Sequence, residues 1–152
     1  MMVAIAVLAI LSTIAVPSFR EASLSSQLRS SANDFIASAN FARSEAIKRG
    51  TGVTMCVSTD GASCAAGSWE QGWIVSSGTT VLQHESAAPS GFKMSAVGSV
   101  ASLSFQPIGV GATPATLTVC RSTPTVGSQE RVVTLDATGR AWLKVTTNGV
   151  CA

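Results

Sequence analysis

The first sixteen residues, MMVAIAVLAILSTIAV, carry no charge and run directly into Pro17, after which a helical pattern continues over residues 18–49 (SFREASLSSQLRSSANDFIASANFARSEAIKR). In the second stretch Leu24, Leu28, Ala32, Phe35, Ala39, Ala42 and Ala46 recur at spacings of three and four, which draws one apolar stripe down a helix. Arg29, Arg43 and Arg49 lie off that stripe, and Glu45 stands four residues before Arg49, a favourable pair on a helix surface. Lys48 and Arg49 complement the negative end of the helix dipole, and Gly50 can take the left-handed cap. Pro17 falls inside the pattern, so it should bend the helix without ending it. At 1.5 Å per residue the whole element reaches roughly 70 Å, too long to be covered by one small domain.

The uncharged run is shorter than the ~20 residues that span a bilayer and longer than the ~10–14 of a core helix or signal segment. No Lys or Arg precedes it, and the chain after Val16 continues as helix without a small-residue cleavage site, so it does not read as a cleaved secretory signal. The reading therefore takes residues 1–17 as a membrane or filament-core segment and Met1 as lying a few residues into it. Residues 18–49 form the amphipathic helix and residues 50–152 a β-rich head.

After Gly50 the periodicity changes. Short segments at Val53–Val57, Trp69–Val75, Thr80–His84, Phe92–Met94, Ser102–Gln106, Thr116–Arg121, Arg131–Asp136 and Ala141–Thr146 are separated by Gly-, Ser- and Pro-containing turns. One long helix followed by regular short strands predicts an α+β fold, with an antiparallel sheet packed on the second half of the helix. Trp73, inside an alternating segment, is expected in the core, and so is Trp142.

Cys56, Cys64, Cys120 and Cys151 allow three pairings. An even set beside an export-type segment favours disulfides in an oxidising compartment. The reading pairs Cys56 with Cys64, across a Gly-, Ser- and Asp-rich loop, and Cys120 with Cys151, tying a strand to the C-terminus. His84 is the single histidine and C-x-x-C spacing is lacking, which argues against zinc. With no G-x-S-x-G and no strand–helix context around Gly109-Val110-Gly111, the chain is expected to be neither an enzyme nor a cofactor binder.

The run MVAIAVLAILSTIAVPSF, the helix end NFARSEAIKRG, the strand VTMCVS, the aromatic segment WEQGWIV and the later RVVTLDATGRA follow one another in an order that closely resembles the FimT/GspH-type minor pilins and minor pseudopilins. The resemblance covers nearly the whole chain, and ARSEAIKRG followed by GWIV is its most specific part. It implies a type IV pilin-like fold and a structural subunit that primes or decorates a type IV pilus near its tip. Such a subunit would first sit in the inner membrane with its head in the periplasm and then move to the cell-surface pilus. It would pack by Ile5, Ala6, Ile10, Ile14 and Pro17 against other minor pilins and the major pilin. Two alternatives stand beside this reading: a DNA-binding competence pilin and a minor pseudopilin of type II secretion. The family's peptidase site and its early glutamate do not occur in this sequence. DNA-binding members carry Gly-Arg-x-Arg, where this chain has Gly139-Arg140-Ala141-Trp142. Arg121, Arg131, Arg140 and Lys144 are therefore the candidate contacts for weak, salt-sensitive binding of double-stranded DNA.

Overall fold

The computed structural model describes residues 2–123, 126, 129–147 and 151, with side chains from Ser18 onward. Met2–Arg49 form a single helix, α1, which runs through Pro17 without a break. The bend expected there, and the side chains of Ile5, Ala6, Ile10, Ile14 and Pro17, lie outside the described side chains. Among the described residues no helix is long and apolar enough to cross a membrane.

The strands are β1 (Val53–Val57), β2 (Trp73–Ser77), β3 (Thr80–Glu85), β4 (Phe92–Ala96), β5 (Ser102–Phe105), β6 (Ala115–Arg121), β7 (Glu130–Leu135) and β8 (Ala141–Thr146). They form two four-stranded antiparallel sheets instead of the one expected, ordered β3-β2-β1-β5 and β4-β6-β7-β8. The chain thus builds three strands of the first sheet, crosses to the second for β4, returns for β5 and crosses again. Trp69–Gln71, read from sequence as strand, is a single 3-10 turn instead. The Gln71 side chain accepts a hydrogen bond from the Ser68 N–H, which closes the turn. Gly72 then sits at φ 103, where a β-carbon would come within 2.7 Å of the Glu85 carbonyl oxygen, so only glycine joins this turn to β2 without strain.

The core lies where the stripe on α1 meets both sheets. Leu28, Ala32, Phe35, Ala39, Ala42 and Ala46 are all buried, against Val53, Met55, Val75, Leu103 and Phe105 of the first sheet and Met94, Leu117, Val119, Val133 and Leu135 of the second. Four of the six helix positions are alanines, so the sheets approach the helix backbone closely. Leu28 and Phe35 are the two exceptions, and Phe35 carries the larger side chain. Its ring meets Trp69 edge-on with centroids 5.0 Å apart and Trp73 at 5.7 Å, and the two indoles lie 6.4 Å from each other. Such edge-to-face arrangements add to what area burial alone provides.

Cys56 is joined to Cys64 and Cys120 to Cys151, with Cα atoms 5.5 and 5.6 Å apart. Each bridge stays within its own half of the head. No disulfide among the described residues links the two sheets; α1 and a few polar ties do so. Glu70, in the 3-10 turn beside the first sheet, accepts the Met94 N–H of β4 at 3.1 Å.

Truncating Phe35 to alanine should lower stability by about 3–5 kcal/mol, the range for deleting a buried aromatic side chain. Chemical denaturation of the full chain in detergent, with tryptophan fluorescence as readout, measures this directly. An effect below about 1 kcal/mol would show that the aromatic cluster does not hold the helix to the head. Peptide mapping without reduction should find the two disulfides as assigned, and Cys120→Ser should make the C-terminal segment the first site of proteolysis while the remainder stays folded.

Candidate functional site

The head has two ends, fixed by strand direction. Because β1 begins where α1 stops and runs back along it, one end carries the last turn of α1, the β5–β6 loop and the β7–β8 turn. The other end carries the close of β1, the end of β6 and the start of β7, beside the earlier part of α1. Both disulfides lie toward this second end.

The four candidate cations fall on different parts of this frame. Arg121 is 5% exposed and Arg131 2% exposed, each on the inner face of the second sheet. Strand parity puts them there. Arg121 continues the face of Leu117 and Val119, while Arg131 pairs with Val119 and shares the face of Val133 and Leu135. Arg121 reaches across to the helix and donates from Nη2 to both carboxylate oxygens of Glu21, at 3.2 and 2.9 Å. Arg131 donates to the Glu130 carbonyl and to Gln129 Oε1, and its Nε has no acceptor among the described residues. Burial, with a further contribution from Arg29 of α1, lowers its pKa from the ordinary guanidinium value.

Arg140 lies at the opposite end, in the exposed β7–β8 turn, and Lys144 projects from the outer face of edge strand β8. Arg121 and Arg140 are thus separated by about 20 Å, six residues of β6 at ~3.3 Å each. The four side chains do not form one face, and phosphate binding needs several cations on one face. Trp142, expected in the core, is 45% exposed. It shares the outer face of β8 with Lys144, because Ala141 and Leu143 take the inner positions.

Beside the expected Glu45–Arg49 pair, interactions the sequence did not reveal hold the end beyond the helix. Arg43 donates from Nε and Nη2 to the Gly109 carbonyl at 3.1 and 3.0 Å, fixing the β5–β6 loop to α1. Glu45 bonds Arg49 at 2.6 Å and Lys48 at 3.1 Å, and these partners, Arg49 first, hold its carboxyl below the ordinary value. Asp136 caps the β7–β8 turn by accepting from the Thr138 hydroxyl and the Thr138 and Arg140 N–H groups. The Thr138 hydroxyl is the largest cause of its lowered pKa. His84 is exposed, and its ring lies against Gly61 in the Cys56–Cys64 loop. A cleft of about 80 Å³ lies between α1 and the β3–β4 connection, lined by Ser31, Asp34, Trp73 and Glu85 among others. That is well below the ~300–1,000 Å³ of ordinary small-molecule sites. What the arrangement presents is surface.

A helix with its second half sealed under two antiparallel sheets and its uncharged half continuing beyond them is the architecture of type IV pilin-like subunits. Residues 31–139 match the family model described as type II transport protein GspH, and the chain belongs to that family. Among solved structures it is similar to the type IV minor pilin FimU of Pseudomonas aeruginosa (strain PAO1). In one crystal form the TM-score is 0.63 at 20% identity, covering 78% of this chain and 89% of that one. A second crystal form gives 0.59 at 21% identity, covering 76% and 91%. The minor pseudopilin EpsH of the Vibrio cholerae type 2 secretion system gives 0.57 at 18% identity, covering 78% and 96%. At these identities the likeness establishes the fold alone. No curated protein matches.

Asp136 yields a pH prediction. Its folded-state pKa is depressed, so the turn's stabilisation is present above the ordinary carboxylate pKa and is lost as pH falls through the folded value. Backbone amide exchange at Thr138 and Arg140 should therefore stay slow at neutral pH and accelerate in acid beyond the intrinsic trend. Asp136→Asn should show fast exchange already at neutral pH. Equal exchange in the two proteins would show that the carboxylate does not hold the turn.

Proposed function

We propose that this chain is a minor pilin of a type IV pilus, a structural subunit that primes or decorates assembly near the tip. The observation that carries the reading is the division of α1. Its stripe from Leu28 to Ala46 is consumed by the head, while the uncharged residues 2–16 extend the same helix away from it. A soluble domain has no use for such an extension. A subunit held first in the inner membrane, then transferred into a helical bundle with other minor pilins and the major pilin, uses it in both states. The small residues along it, Ala4, Ala6, Ala9, Ser12 and Ala15, suit close helix–helix approach. Two disulfides suit a head exposed outside the cell, where each adds about 2–4 kcal/mol.

A second reading is a minor pseudopilin of type II secretion, favoured by the description of the matching family and the likeness to EpsH. The DNA-receptor reading draws no support from the cation placement, since Arg121 and Arg131 face the helix.

A clean deletion in the source organism separates the first two. The pilus reading expects loss of surface pili and of twitching with secreted enzymes at their normal level; the opposite pattern would establish the pseudopilin reading. In the complemented strain, Ala6→Asp should abolish piliation, because a charge at mid-bilayer costs about 2.5–3.5 kcal/mol on insertion scales. Normal piliation by that variant would refute packing through the apolar run.

A further inference from the structure

The end of the head beyond the last turn of α1 carries an apolar surface that is held rigid and left uncovered. Ile108 is 76% exposed, and Ile47 and Val110 beside it are 51% and 47% exposed. Ile108 and Val110 sit in the β5–β6 loop, whose conformation is fixed at several points. Arg43 holds the Gly109 carbonyl through two nitrogens, and the Gly111 and Ala112 N–H groups both donate to the Ala137 carbonyl, at 2.8 and 3.0 Å. Gly109 takes φ 77 with the Ile47 side chain against it, so a β-carbon there would be strained and crowded. The β7–β8 turn packs alongside, with Gly139 against Arg43 and Ala112, and leaves Arg140 exposed. A loose loop could turn its aliphatic side chains inward. This one keeps them outward, ordered in advance of any contact, which lowers the entropy lost on association.

The charge around the patch is one-sided. Arg43, Lys48, Arg49 and Arg140 are set against Glu45 and Asp136 alone, which leaves this end at +2. Both carboxylates are already engaged, Glu45 by Lys48 and Arg49 and Asp136 by its own turn. Lys48 and Arg49 are likewise engaged by Glu45, and Arg43 by the Gly109 carbonyl, so a partner that covers the apolar centre fits best with a carboxylate at the rim beside exposed Arg140.

We propose that this end is the docking face for a second pilin-type subunit. Ile47, Ile108 and Val110 enter an apolar seat on the partner's head, and Arg140 meets a carboxylate at the edge of that seat. The proposal rests on the reading of the chain as a filament subunit, but not on which machine the filament serves. When uncharged helix starts are bundled with a common polarity, the opposite end of each head points along the axis toward the neighbouring head. The contact is head-to-tail, the type that propagates a filament instead of closing a dimer. An anionic membrane would also suit aliphatics ringed by cations. However, Ile47 lies 30 residues beyond Pro17 on one helix, about 45 Å at 1.5 Å per residue, out of reach of the bilayer that holds the uncharged segment. Nucleic acid has no use for three exposed aliphatic side chains.

The test uses the full-length protein in its own cells, with a photo-crosslinking amino acid at Ile108 and, as control, at Val97, an exposed apolar residue off the patch. Light should yield a product at Ile108 whose partner, by mass spectrometry of the linked peptides, is a pilin-type subunit, with at least tenfold less product at Val97. Arg140→Glu should reduce the product about tenfold, and reversing the contacted carboxylate to lysine should restore it. Absence of a pilin-type partner at Ile108, equal yields at the two positions, or indifference to Arg140→Glu would each overturn the proposal. The two readings fail separately. If deletion impairs secretion and not piliation, the pilus assignment falls while an Ile108 product with a pseudopilin upholds the docking face. If deletion abolishes pili and no Ile108 product forms, the docking face alone is lost.

Discussion

The fold depends on one side of one helix being nearly without side chains. Ala32, Ala39, Ala42 and Ala46 are fully buried where two sheets close onto α1, and a larger side chain at any of them would have to push a sheet away. Packing at crystal-like density leaves no slack for an added methylene group, so the helix face and the sheet separation are set together. Phe35 is the single large residue at the centre of the stripe, and Trp69 and Trp73 converge on it. The rest of the head follows from this arrangement. The 3-10 turn holds Trp69 in place, Glu70 ties that turn to β4, and Arg43 anchors the β5–β6 loop from the same helix.

Much of the architecture was legible because it is periodic. The stripe on α1, the change to short strands after Gly50 and most strand positions could be read directly from spacing. Where the reading failed, the signals were local or very distant. The 3-10 turn at Trp69–Gln71 was marked by Ser68 and Gln71 three residues apart, a capping pattern that was available but was outweighed by the apparent alternation of WEQGWIV. The exposure of Trp142 was available too, since Ala141, Leu143 and Val145 share one parity and Trp142, Lys144 and Thr146 the other. Likewise Arg121 and Arg131 continue apolar alternations, which places them on the inner face. Their partners could not be read at all. Nothing in a single chain announces that Glu21 receives Arg121 a hundred residues later, or that β4 joins β6 instead of the strands before it.

The charge arrangement differs at the two ends of the head. Near the disulfides, two arginines turn inward: Arg121 bonds Glu21 of the helix, and Arg131 bonds the Glu130 carbonyl and the Gln129 amide oxygen beside its own strand. Beyond the last turn of α1 the cations remain at the surface around uncovered aliphatics. A nearly neutral chain with a net charge of +2 thus gains a directional surface from placement and not from composition.

The exchange of strands between the sheets has a consequence for how the head forms. β5 completes the first sheet, yet it follows β4, which belongs to the second. β4 therefore waits without its partner until β6 follows, and the first sheet can close before the second. The first sheet stays open until β5 forms, at residue 105, and the second sheet then condenses on the same helix face. Long-range pairing of this kind slows folding, because loop-closure entropy must be overcome before native contacts compensate for it.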